Sequence, residues 1–90
     1  MISRQAFYEG RDQGVGFRWT VKNIAKGYDV TGTVQNLPDG RVELHVTGDS
    51  DEVEDFLTAI AESGLKSHIR KILVLPDPKP QPAKGFEILS

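Results

Sequence analysis

Between residues 10 and 18 the chain reads Gly10-Arg-Asp-Gln-Gly14-Val15-Gly16-Phe17-Arg18, three glycines followed by an arginine. Glycines let successive backbone N–H groups converge without side chains in the way, and a helix N-terminus adds partial positive charge at the same point. Such a segment can hold an anion. Three glycines by themselves also fit a tight turn, and Arg18 is what tilts the reading. In the first turn of a following helix its charge opposes the dipole, so helix stability gains nothing from it. Its planar fork, however, matches two phosphate oxygens at once. The other chemically capable residues are less well placed. Trp19 reads as packing rather than as a substrate platform. His45 and His68 are lone histidines on separate predicted strands, too little for a metal site, and no Ser/His/Asp arrangement stands out. The carboxylates Asp49, Asp51, Glu52, Glu54 and Asp55 crowd the start of a predicted helix, where the dipole favours them, and need no metal to explain them.

A glycine segment of this kind needs a strand to deliver it and a helix to receive it. Residues 3–9 read as the strand, with Ala6 and Tyr8 on one face. Val21, Ile24, Ala25 and Tyr28 recur at helical spacing, with Lys22, Asn23 and Lys26 off the stripe and Gly27 and Asp29 suited to stop the helix. Residues 30–36 and 41–47 alternate as strands, and Asn36-Leu-Pro-Asp-Gly40 between them carries turn chemistry, so an antiparallel hairpin is expected. Asp49-Ser-Asp-Glu52 resembles a capping box opening a second helix, with Val53, Phe56, Leu57, Ile60 and Ala61 as its buried stripe and Gly64 as its stop. Residues 68–75 form another strand. The alternate prolines of Asp77-Pro-Lys-Pro-Gln-Pro deny a sheet its N–H donors and make a loop, and Phe86 and Ile88 alternate in a short last strand. The order β-α-β-β-α-β plus a terminal strand predicts an α+β, ferredoxin-like sandwich, two helices on one face of an antiparallel sheet.

Composition bounds the class. Ninety residues make one domain, 1–90, and with no cysteine there is neither a disulfide framework nor a thiol nucleophile. No apolar run approaches the ~20 residues that span a bilayer, and the first residues lack the apolar stretch of a secretory signal, so a cytoplasmic protein without a membrane partner is expected. The net charge of −2 is uneven: residues 1–36 carry five basic and three acidic side chains, residues 37–64 one and eight, residues 65–90 five and two. That acidic middle argues against a nucleic acid, whose binding rests on clustered Lys and Arg. An RNA-binding sheet with the same element order would need exposed aromatics on its central strands, and residues 41–47 offer none. The proline-rich stretch opposes edge-to-edge pairing, so a monomer is expected.

The segment Gly10-x-x-Gln13-Gly14-Val15-Gly16-Phe17-Arg18 resembles the loop of the acylphosphatases, which runs Gly-x-Val-Gln-Gly-Val-x-Phe-Arg. Asn36, Gly40, Val42 and Gly48, with Gly32 before them, are similar to that family's second signature, and the likeness continues to Gly85-Phe86-Glu-Ile88. The resemblance implies that backbone N–H groups from Gly14, Val15, Gly16, Phe17 and Arg18 cradle a phosphate, that Arg18 binds its oxygens and that Asn36 orients the attacking water. It implies hydrolysis of carboxyl-phosphate anhydrides, with an acyl phosphate as substrate, inorganic phosphate in the loop, no metal, no cofactor and no covalent intermediate. Without the resemblance, Asn36 reads as a turn residue. Three positions depart from the pattern: Asp12 stands where the family has Val, Thr33 where it has a large apolar residue, and Asp29 where it has a helix-ending Gly. A carboxylate at residue 12 facing the anion would weaken its binding. The alternative function is therefore a weakly active or inactive anion-binding module of the same fold; the acylphosphatase-like domain of hydrogenase-maturation carbamoyltransferases shows that such a fold can sit within larger proteins.

Overall fold

The alternating segments become strands, and the two apolar stripes become the helices that cover them. The computed structural model describes residues 1–10, 15–77 and 84–89. In chain order its elements are β1 (Ile2–Gly10), α1 (Val15–Ala25), β2 (Val30–Asn36), β3 (Val42–Gly48), α2 (Ser50–Ala61), a 3-10 turn (Gly64–His68), β4 (Ile69–Pro76) and β5 (Phe86–Ile88). One sheet carries all five strands in the order β4-β1-β3-β2-β5. β1 pairs antiparallel with β3 and β4, and β2 antiparallel with β3. β5 runs parallel to β2, which makes the sheet mixed rather than wholly antiparallel. The direction of β5 follows from that of β4, which opposes β2: a chain that reverses after β4 meets β2 running the same way.

Strand residues facing the helices are Ala6, Tyr8, Val30, Val34, Val42, Leu44 and Val46, all buried, and they meet Phe17, Val21 and Ala25 of α1 and Val53, Phe56 and Ile60 of α2. Phe56 sits between the rings of Tyr28 and Phe86, at 6.0 and 5.6 Å between centroids. The opposite face carries a polar cluster on its central strands, with Phe7, Leu73 and Leu75 beside it along β1 and β4. Gln5 and Gln35 donate their amide N–H groups to the two Glu43 oxygens at 2.7 and 2.8 Å, and His45 lies between Glu43 and Asp77, with Nδ1 2.8 Å from Asp77 Oδ2. Burial opposes the Glu43 charge, yet the Gln35 and Gln5 hydrogen bonds and the neighbouring His45 hold its carboxyl below the ordinary value.

Local details differ from the sequence reading, each for a visible reason. α1 stops at Ala25, because the N–H groups of Lys26, Gly27 and Tyr28 bond three residues back instead of four, and Tyr28 packs on the core from this tighter turn. The expected capping box is not made. Asp49 is the N-cap without a side-chain bond, and Glu52 instead accepts the Asp29 backbone N–H at 2.6 Å, fastening the entry of β2 to α2. α2 ends at Ala61, before Gly64, because Ser63 caps a separate 3-10 turn, accepting the Leu65 N–H at 3.1 Å. His68 therefore closes that turn rather than lying on a strand. Gly10 is required where the turn meets β1: a Cβ there would strike the His68 carbonyl. The register of β1 against β4 shifts at the same point, between Glu9 and Gly10.

Candidate active site

Helix α1 begins at Val15, so Gly16, Phe17 and Arg18 lie in its first turn, where N–H groups have no carbonyl within the helix to bond. Phe17 is buried and tilts against Tyr8 at 5.5 Å, which fixes the start of the helix over β1. The Tyr8 hydroxyl is pushed far up by burial and stays neutral. Gly14, along with Asp12 and Gln13, lies outside the described residues. Trp19 is 59% exposed, so the packing role expected for it is not the one it has.

Arg18 leaves the helix half-buried and turns toward β5, where Nη1 donates to the Leu89 carbonyl oxygen at 3.3 Å. Leu89 in turn donates its N–H to the Val34 carbonyl at 2.8 Å. Two hydrogen bonds thus tie the guanidinium to β2, two residues before Asn36. Asn36 is the last residue of β2, opposite Val42, and shares the helix-covered face with Val34. The turn that follows is closed by Gly40 N–H to the Leu37 carbonyl at 3.0 Å, and Gly40 has a φ of +94°, a conformation few other residues accept. Arg18 and Asn36 therefore belong to one end of one face. Each also carries a buried atom with no hydrogen-bond partner among the described residues, Arg18 Nε and Asn36 Oδ1. A donor and an acceptor left open in this way are uncommon in a folded protein and point to a bound group.

The other sequence candidates fall elsewhere. His45 is in the polar cluster opposite the helices and His68 in the 3-10 turn, and among the described residues no group of three His, Cys, Asp or Glu could hold a metal ion. The Leu89 carbonyl that holds Arg18 was missed from sequence. It is a backbone atom 71 residues away, and no side-chain pattern announces it.

The five-stranded sheet under two helices defines an α+β domain with a ferredoxin-like core. The acylphosphatase family model matches residues 4–88, and the chain belongs to that family. An acylphosphatase of a Nostoc species is 36% identical over 88 residues, 98% of this chain and 86% of the relative. One from Listeria welshimeri is 52% identical over 48 residues, and there the match spans only about half of either chain, 53% and 52%. The crystal structure of acylphosphatase from Bacillus subtilis superposes with a TM-score of 0.86 at 30% identity, covering all of both chains. No helix among the described residues is long and apolar enough to cross a membrane.

Proposed function

We propose that this chain hydrolyses the carboxyl-phosphate mixed anhydride of small acyl phosphates to a carboxylate and inorganic phosphate. The observation that carries the reading is the pair of open, buried polar atoms on Arg18 and Asn36 beside the first turn of α1. In the proposed reaction the N–H groups of residues 14–18 and the Arg18 fork hold the phosphoryl oxygens. Asn36 Oδ1 accepts a hydrogen bond from a water and holds it against phosphorus. The water oxygen forms the new P–O bond while the bond from phosphorus to the acyl oxygen breaks, and its electron pair leaves with the carboxylate. The water proton passes to phosphate or solvent. A carboxylate is a good leaving group and needs no acid, so positioning and charge stabilisation suffice. No metal or cofactor has a part in these steps.

The same reading takes residues 1–90 as one domain working as a monomer in the cytoplasm, where activated carboxylates are made and consumed, with neither nucleic acid nor membrane as partner. The acidic middle of the chain supports the exclusion of nucleic acid. Steady-state phosphate release from acetyl phosphate, with and without chelator, tests the proposal. Turnover unaffected by chelator is expected. Phosphate binding without turnover would instead make the chain an anion-binding module, and loss of turnover with chelator would rule out the metal-free mechanism.

A further inference from the structure

Asn36 closes β2 opposite Val42, and residues 37–41 reverse the chain between the two. Among the described residues nothing bonds Asn36 Oδ1, so its place is set by its backbone and hence by this turn. The turn bond nearest to it runs from the Leu37 N–H to the Arg41 carbonyl oxygen, at 2.8 Å. Arg41 is itself held at three points. Its backbone N–H donates to Asp39 Oδ1 at 2.9 Å, its Nε donates to Asp39 Oδ2 at 2.8 Å, and its guanidinium lies 4.6 Å from the centre of the Phe7 ring. The first of these is the bond to the backbone two residues on that Asp and Asn side chains make in turns. That N–H holds the Asp39 carboxyl below its ordinary value, so it is a carboxylate at neutral pH. Phe7 lies between Ala6 and Tyr8, which face the helices, so this brace is on the sheet face opposite that of Asn36. It can act on Asn36 only through the backbone.

We infer that Asp39 is a positioning residue for the reaction: by holding the Arg41 backbone from the far face of the sheet, it fixes the strand end that carries Asn36. The inference rests on the acyl phosphate reading and adds a residue that touches neither the phosphate nor the water. The Asp39 and Arg41 side chains are 52% and 36% exposed, and an ion pair so placed contributes little. The bond from the Arg41 N–H is therefore the part of the brace that counts, and it can be separated from the charge. An asparagine at position 39 keeps the acceptor and loses the charge. A glutamate keeps the charge, but its longer side chain does not suit the two-residue bond.

The test is steady-state hydrolysis of acetyl phosphate by the unaltered protein, Asp39→Ala, Asp39→Asn and Asp39→Glu, with inhibition by inorganic phosphate measured in each. Asp39→Ala and Asp39→Glu should lower kcat about tenfold, since small errors of orientation are costly. KM and phosphate inhibition should not change, and Asp39→Asn should keep nearly full kcat. On an Asn36→Ala background, Asp39→Ala should cost nothing further, because the group it positions is gone. Full kcat in Asp39→Ala, rescue by Glu instead of Asn, or an undiminished further loss on the Asn36→Ala background overturns the assignment. If Asp39→Ala does not fold, the contrast between Asn and Glu decides it. The side-chain amide NMR signals of Asn36 separate the inference from the reading beneath it. They should move in Asp39→Ala and Asp39→Glu and stay in place in Asp39→Asn. That pattern in a protein without turnover would remove the hydrolase reading and uphold the brace. Turnover with Asn36 signals indifferent to residue 39 would do the reverse.

Discussion

Replacing Asn36 by alanine should cost the protein its turnover and none of its stability. Asn36 Oδ1 is buried with no hydrogen-bond partner among the described residues, and leaving a buried acceptor unpaired costs about 1–3 kcal/mol relative to keeping it in water. Asn36→Ala relieves that cost. It also gives up the contacts of the carboxamide, which offsets part of the gain because the residue is half-buried at a strand end rather than in the core. The expected net effect on phosphate-free protein is a stabilisation of about 1 kcal/mol. For a domain of this size that corresponds to a rise in Tm of about 4–8 °C. Turnover of acetyl phosphate should fall on the order of a hundredfold or more, since an unpositioned water loses the orientation on which the step depends. Binding of inorganic phosphate should persist, because the groups proposed to hold it, the N–H groups of residues 14–18 and the Arg18 guanidinium, do not include Asn36. Urea unfolding, thermal melts and phosphate titration on one preparation give all three numbers. A variant destabilised by 1 kcal/mol or more would show that the amide is satisfied in the resting protein, and retained turnover would remove Asn36 from the reaction.

Arg18→Lys should lose most activity although the charge is kept, since a point charge cannot reproduce a two-pronged contact; its melting curve should be nearly unchanged, because Arg18 makes one long bond to a backbone carbonyl. Asp12→Val should raise kcat/KM and tighten phosphate binding severalfold, most clearly below ~20 mM salt; equal phosphate affinities of the two versions at low and high salt would mean the carboxylate points to solvent. Glu43 has a folded pKa below its ordinary value, so its contribution to stability is present above that ordinary value and is lost as pH falls through the lower one. Glu43→Gln should accordingly flatten the acid limb of the stability–pH curve, as read by urea midpoints on either side of that window, and an unchanged slope would discard the linkage.

What could be read from the sequence divides by range. Strands and helices follow from alternation and 3.6-residue stripes, because those patterns are local and each stripe must be covered. Val30, Val34, Val42, Leu44 and Val46 all land on the buried face as their spacing requires. Arg18 stands out because its position in the helix is unfavourable, and Asn36 only because it matches a family signature; as a residue type it is an ordinary turn former. The capping box failed because Glu52 has a tertiary alternative in the Asp29 N–H, 23 positions away. The parallel pairing of β5 and the hold of Leu89 on Arg18 could not be read at all. Both depend on where the chain returns after β4, and pairing direction leaves no mark on three residues of strand.

That return has a consequence for the order in which the protein becomes competent. The bond from Arg18 to Leu89 spans 71 positions, and Leu89 reaches the guanidinium only once it is bonded to Val34. Contacts of such separation carry a large share of loop-closure entropy and tend to form late. A partly folded chain could already have its four antiparallel strands and both helices while Arg18 still sampled several rotamers. Secondary structure and catalysis should then return on different clocks after dilution from urea, and the lag between them would time the docking of β5.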